Sequence, residues 1–339
     1  MEKKNKLELL KKPVIKNNSN VIRLLCILVL VYAIMAILQP EFFPTKGNFV
    51  SMCMQFPEYG LMALGCSLAM VAGGIDLSLV STANLTAIII GTFLSKVTAE
   101  DASEGTLVLF VLVSYVLAII VGAVCGVFNG FLIGKIKVPA MLATLGTQSL
   151  FAGIGLVITK GKAVTGFPYK VVEMGTKKFA GLIPVPLLIF AVCCVVVWYI
   201  MERSTFGVRL CMLGTNPKAS ELTGQNNLSI LIRTHMLGGI LAALAGMIML
   251  SRMNSARADY GSSYTMQAIL ISVLGGTNPS GGFGSIMGVT VAVLILQTFA
   301  SGLNMFTSLN AYFKEFAWGV VLILVITLNY LSEKKNKKG

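Results

Sequence analysis

Gly73-Gly74-Ile75-Asp76-Leu77-Ser78 interrupts one apolar stretch of this chain, and Gly275-Gly276-Thr277-Asn278-Pro279-Ser280, followed by Gly281-Gly282, interrupts another. In each, an apolar run stops at a glycine pair, passes one polar group (Asp76 or Asn278) and resumes beyond a serine. The runs that end there, 58–73 and 263–275, fall short of the roughly 20 helical residues needed to cross about 30 Å of hydrocarbon. Backbone leaves the helix at membrane depth only where it lines a cavity or is buried in protein. Short, glycine-interrupted segments in matching halves of a chain point to a transport pathway. The two breaks predict an all-α, polytopic integral membrane protein with two short broken helices and an inverted internal repeat, built to move something across a membrane.

Composition agrees. Of 339 residues, 55% are hydrophobic and 12% charged, where soluble domains carry about 25% charged residues; mean hydropathy is +0.82. The net charge of +13 gathers at membrane flanks, with Lys3, Lys4, Lys6, Lys11, Lys12 and Lys16 before the first apolar run and Lys334, Lys335, Lys337 and Lys338 after the last. Flanking lysines set orientation, so both termini are expected in the cytoplasm and the number of crossings is expected to be even. The basic residues carry no nucleic-acid motif and no interleaved aromatics, which argues against nucleic acid as a partner. Of the seven cysteines, Cys26, Cys66, Cys125, Cys193 and Cys194 lie in apolar runs and act as small hydrophobes. A single histidine, His235, offers no cluster with metal-ligand spacing, and no cofactor is expected. The first run, Val21 to Leu38, continues into Gln39-Pro40-Glu41 rather than a small-residue cleavage site, as an uncleaved anchor does.

Apolar runs at 21–38, 58–73, 77–95, 106–133, 138–159, 182–201, 230–250, 263–275, 283–300 and 311–331 give about ten transmembrane segments. The organisation is a cytoplasmic basic tail (1–20), one transmembrane domain (21–331) with a cytoplasmic loop at 202–229, and a second basic tail (332–339). The count puts 160–181 outside although it holds Lys160, Lys162, Lys170, Lys177 and Lys178, against the usual charge bias. Gly122, Gly126, Gly130 and Gly134 lay a flat strip along one helix face. Such a strip lets a neighbouring backbone approach, whether within one subunit, between subunits or along the pathway.

The candidate pathway residues are Gly73, Gly74, Asp76, Ser78, Asn84, Gly275, Gly276, Asn278 and Ser280. Asp76, the only acid read as lodged between two apolar runs, is either a functional ligand, the default for an intramembrane carboxylate, or a cap for the helix beginning at Leu77. The matching position, Asn278, is an uncharged cap, which favours capping. His235 is read as an interfacial side chain rather than a proton relay. Arg252, Arg257 and Asp259, on the outer side by this count, are read as a solvated loop in preference to a contact for an external protein partner. On 202–229, Asn216 suits a helix N-cap, Pro217 its first turn and Gly224 its C-terminal stop. A short capped helix between two membrane runs is suited to docking a cytoplasmic partner, through Asn216, Pro217, Lys218, Ala219, Glu221 and Gly224. No His-Glu-x-x-His, Gly-x-Ser-x-Gly or phosphate-binding Gly-x-x-x-x-Gly-Lys-Ser/Thr motif is present. If ATP drives transport, the ATPase is another chain.

Both glycine breaks, the second extending through Phe283-Gly284-Ser285, resemble signatures of the permease subunits of bacterial ribose-type sugar ATP-binding-cassette importers, relatives of the branched-chain amino-acid permeases. So do Val138-Pro139-Ala140-Met141-Leu142-Ala143-Thr144-Leu145-Gly146 and Phe206-Gly207 with Gly214-Thr215-Asn216-Pro217-Lys218-Ala219-Ser220-Glu221-Leu222-Thr223-Gly224. The motifs run in order through most of the chain. Val80, Ser220 and Gln225 depart from the residues usual in that family. The resemblance implies a permease subunit in the bacterial cytoplasmic membrane, not itself an enzyme and surrounded by lipid. It implies pairing with a second permease subunit, identical or not. Cytoplasmic ATPase subunits would dock on the coupling helices, and an extracytoplasmic binding protein would deliver a monosaccharide. Alternative cargoes are nucleosides, a furanosyl signalling molecule or branched-chain amino acids. An ion-coupled secondary carrier would share the broken helices but has no need of a docking helix, and a membrane-embedded enzyme lacks its nucleophile, metal cluster or paired acids.

Overall fold

The computed structural model describes residues 2–97, 104–167, 169–179 and 183–306, with isolated positions between 313 and 327. The expected crossing at 311–331 lies largely outside the described residues, and the tail 332–339 wholly so. The described residues are mostly helical. Helix α1 (Glu2–Leu38) leads into α2 (Lys46–Val71), α3 (Leu79–Val97), α4 (Glu104–Gly134) and α5 (Ala140–Thr159). A two-residue strand β1 (Val164–Thr165), helix α6 (Tyr169–Thr176) and strands β2 (Lys178–Phe179) and β3 (Ile183–Pro184) precede α7 (Val185–Arg203). Then come α8 (Thr205–Thr215), α9 (Pro217–Leu222), α10 (Asn227–Met253), strand β4 (Ser255–Ala256), α11 (Tyr264–Leu274) and α12 (Ile286–Asn304). Among the described residues seven helices are long and apolar enough to cross a membrane: α1 from Asn20, α3, α4, α5, α7, α10 and α12.

The core runs along α2 and α10. Every residue of α2 from Phe56 to Val71 is buried. On its outer flank α10 is received by the glycine strip of α4. A Cβ built on Gly122 would lie 2.3 Å from the Gly239 carbonyl oxygen, and one on Gly126 would lie 2.1 Å from that of His235. The strip therefore seats a backbone of the same subunit, with small residues permitting the close approach. Large apolar side chains on α1, α4, α5 and α7, among them Val29, Val124, Val157 and Val192, stay exposed, as a surface facing lipid or a second subunit requires.

Two differences from the sequence expectations have physical causes. The run expected as short, 58–73, is the last part of a 26-residue helix, about 39 Å long. Its beginning reads as polar because Asn48, Ser51, Gln55 and Glu58 stand there. Those groups find protein partners: Ser301 Oγ donates to Asn48 Oδ1 at 2.6 Å, Gln55 donates to Ser51 on the exposed side, and Glu58 meets Arg252. Glu58 is fully buried, so Asp76 is not the only buried acid. The second difference concerns Arg252, which leaves the loop reading for this buried partner, while Arg257 and Asp259 do pair on the exposed loop.

The lysine-rich stretch 160–181 shares a face with 254–263, because β1 pairs antiparallel with β4, Val164 facing Ala256. At 27 residues, α10 is about 40 Å long, so this face lies opposite α9. Two of its lysines are neutralised locally: Lys170 pairs with Glu104 and Glu173, and Lys177 with Glu173. Lys177 holds the Glu173 carboxyl below the usual carboxylate range.

Candidate functional site: a junction of two broken helices

At the first break α2 ends on Val71, and Gly73 turns the chain with φ +91°, a left-handed conformation that glycine adopts without a side-chain clash. The Gly73 and Gly74 amides return to the carbonyls of Met70 (2.8 Å) and Ala69 (3.1 Å), satisfying the helix end. Two residues on, Asp76 Oδ1 accepts from the Ser78 amide at 3.0 Å and from its hydroxyl at 2.7 Å. This is a side-chain-to-backbone turn of the kind Asp favours. It closes before α3 starts at Leu79, so Asp76 shapes the approach to the helix rather than capping its first turn.

The other oxygen, Oδ2, lies 3.0 Å from His235 Nδ1, both groups buried. Asn129 Nδ2 of α4 donates to Ser78 Oγ at 2.7 Å. His235, expected at the membrane interface, is therefore a core residue. The α4 glycine strip packs directly on the His235 backbone at Gly126 and so covers this turn of α10. Neither Asn129 nor the His235 pairing carried a signal in the sequence, since Asp76 and His235 stand 159 positions apart.

The second break repeats much of this without the charge. Helix α11 ends at Leu274, and Gly276 takes φ +93°. Asn278 Oδ1 accepts from the Ser280 amide at 3.0 Å, as Asp76 does from Ser78, and Asn278 Nδ2 donates to the Gly281 carbonyl at 3.0 Å. The parallel is partial. Helix α12 is capped not by Asn278 but by Ser285, whose Oγ accepts from the Gly288 amide at 3.1 Å.

The breaks meet. The Gly282 amide donates to the Val71 carbonyl at 3.0 Å, and a Cβ on Gly281 would lie 2.8 Å from Gly73 Cα. Gly214, near the end of α8, completes the contact: a Cβ there would lie 1.8 Å from the Val71 carbonyl oxygen and 2.7 Å from the Gly282 nitrogen. The start of α5 closes another side. A Cβ on Gly74 would stand 2.4 Å from Ala140 Cβ, and Thr144 Oγ1 donates to the Ile75 carbonyl at 3.0 Å. Four segments far apart in sequence share one junction.

One residue beyond α8, Asn216 caps α9. Its Oδ1 accepts from the Ala219 amide at 3.1 Å, Pro217 fills the first helical position, and Gly224 leaves the helix at φ +78°. Lys218, Ala219 and Glu221 are exposed, and Leu222 stands 89% exposed at the end of the helix. Beneath them the buried Ser220 Oγ donates to Asn227 Oδ1 at 2.7 Å, with Gln225 Oε1 3.2 Å away as the alternative acceptor. The α9 knob is thereby bonded to the start of α10.

Of the sequence-derived pathway residues, Gly73, Gly74, Asp76, Ser78, Gly275, Gly276, Asn278 and Ser280 all lie in the two breaks that meet here. Asn84 stands apart. Its amide donates to the Ala258 and Tyr260 carbonyls, at 3.0 and 2.8 Å, on the 254–263 segment.

Residues 48–326 match the family described as "Branched-chain amino acid transport system / permease component". The chain is 33% identical to the ribose import permease protein RbsC of Haemophilus influenzae, over 91% of this chain and 93% of that protein. It is 34% identical to RbsC of Bacillus subtilis over 87% of this chain and 88% of that one. It is also 33% identical to the autoinducer 2 import system permease protein LsrD of Yersinia enterocolitica, over 79% of this chain and 78% of that protein. No solved structure matches.

Proposed function

This chain belongs to the branched-chain amino acid transport system permease family, and on that premise we propose that it is the membrane subunit of an ATP-driven importer of a ribose-type monosaccharide. Its relatives named as ribose import permeases support the cargo class. Relatives named for autoinducer 2 import make a furanosyl signalling molecule the second candidate. In this reading two permease subunits form the path in the cytoplasmic membrane, both termini and α9 face the cytoplasm, and a binding protein delivers cargo from outside. ATP is hydrolysed by a separate chain seated on α9.

The observation that carries the reading is the contact of both breaks with Gly214, two residues before the cap of α9. A displacement of α9 by an ATPase reaches the α2 carbonyl end and the Gly281-Gly282 turn through backbone contacts alone, with no intervening flexible side chain. Packed backbones of this kind have discrete arrangements rather than a continuum. The path would then switch access by shifting the two breaks relative to one another, while the exposed Lys218, Ala219, Glu221 and Leu222 supply the contact surface.

The test is reconstitution of the wild-type chain with its ATPase and binding protein in proteoliposomes, reading uptake of labelled ribose. ATP-dependent accumulation is expected, and Ala219→Arg combined with Gly224→Val should abolish both uptake and ATPase co-purification while the chain still inserts. Accumulation by the chain alone, driven by an ion gradient, would establish a secondary carrier instead.

A further inference from the structure

One buried charged cluster lies away from the junction. Glu58, completely buried in α2 and directly after Pro57, meets Arg252 from the last turn of α10. Arg252 Nη2 donates to Glu58 Oε2 at 3.1 Å, and Nε donates to Oε1. The hydroxyl of Tyr264, the first residue of α11, donates to the same Oε2 at 3.2 Å. The Tyr264 ring sits edge-on to Tyr59 with centroids 5.6 Å apart, and the Tyr59 hydroxyl bonds to Gln297 of α12. One carboxylate thus links α2, α10 and α11, and through Tyr59 also α12, about 20 Å along α2 from the first break.

Stability alone does not call for this arrangement. A buried ion pair loses much of its Coulomb gain to desolvation, and exchanging both partners for apolar groups of similar volume is often neutral or stabilising. What distinguishes the cluster is the helix it holds. Helix α11 has only 11 residues and lies between two non-helical segments, 254–263, which includes β4, and 275–285. Along its length it lies on α2, where Ser272 Oγ donates to the Ala63 carbonyl at 3.0 Å, so its movement turns on what holds its ends. One of its ends is tied by Tyr264 to Glu58, and the other runs into the turn that touches Val71 and Gly214. Arg252, in turn, stands two residues before the 254–263 segment, on the face opposite α9.

We infer that Arg252, Glu58 and Tyr264 form a latch at the outer end of α11, which holds the resting state of the pathway and must release for the transport cycle to turn over. Arg252 and Tyr264 are positioning residues that act through Glu58. Pressure from outside on 254–263 pulls on Arg252, and a freed α11 shifts the second break against the first. The inference rests on the importer reading above.

Its test uses the complete complex of permease, ATPase and binding protein, reading phosphate release with and without binding protein. Glu58→Leu combined with Arg252→Met removes both charges while keeping most of the volume. This pair is expected to melt with the wild type and to raise phosphate release in the absence of binding protein about tenfold, or ~1.4 kcal/mol. Tyr264→Phe, which leaves the ion pair intact, is expected to raise it about threefold, a change within the range of one ordinary hydrogen bond. If both variants keep the wild-type ratio of basal to stimulated hydrolysis, the cluster merely packs the bundle and the latch is wrong. A lowered melting temperature with that ratio unchanged counts against it equally. Should the paired variant fail to assemble, Tyr264→Phe decides on the same ratio. A wild-type chain that recruits no ATPase would overturn the importer reading rather than the latch alone.

Discussion

The two breaks use the same turn chemistry under different electrostatics. At the first, a carboxylate organises the turn and is matched by an imidazole from another helix, with Asp76, Ser78 and His235 all buried. At the second, an amide organises the turn and every partner is backbone of the same segment, while Pro279 and Ser280 are exposed. The first break is thus anchored to α10 and α4, and the second is self-contained and reaches its neighbour through Gly281 and Gly282. A self-contained turn on a short helix can travel as a unit. A turn bonded across helices to buried side chains moves only with its partners, so the first break is suited to be the fixed side of the junction and the second the moving side.

The largest effect is expected from a wedge at the point where the breaks meet. Gly214→Val places a side chain where even a Cβ would lie 1.8 Å from a backbone oxygen. Uptake should be lost completely and detergent-purified protein should melt far below the wild type. A variant with normal uptake would show that the contact is not needed. Next comes Asp76→Asn, which replaces the carboxylate facing His235 with a neutral amide; a hydrogen bond to a charged group contributes about 1.5–3 kcal/mol. Thermal melting measures the loss, and the double variant with His235→Gln should recover a good part of it.

Two glycines then separate room from conformation. Gly276→Ala has open space but φ +93°, which should cost roughly 1–2 kcal/mol for the left-handed backbone. Gly74 has no positive φ but only 2.4 Å to Ala140 Cβ, so Gly74→Ala should be tolerated only in combination with Ala140→Gly. Failure of that rescue would remove α5 from the junction. The smallest effect is expected from Asn278→Ser, whose hydroxyl can take over the bond from the Ser280 amide and which loses the one to Gly281, at about 1 kcal/mol. If this exchange is as damaging as Asp76→Asn, the two breaks do not differ in the way described.

Local chemistry made much of this readable from residues alone. Glycine pairs, an Asx residue two before a serine, and Asn-Pro ahead of a short helix specify their turns within a few positions, and the structure has turns at each. Partners across helices were not readable. Nothing in one sequence pairs Asp76 with His235, or Glu58 with Arg252, because each pairing depends on how α10 lies in the groove of α4 and along α2. The length of α2 was hidden for a related reason. Hydropathy counts Asn48 and Glu58 as water-seeking, whereas here protein groups take the place of water. The glycine strip was legible as a packing surface, while the identity of what it packs was not.

The chain contains one histidine, and the fold has placed it against the carboxylate that shapes the first break. Any imidazole resonance from purified protein grown on labelled histidine therefore comes from that single location, with no engineered probe and no assignment problem. Comparing that signal between nucleotide-free protein and the complex trapped with an ATP analogue would report whether the first break stays still while the second moves.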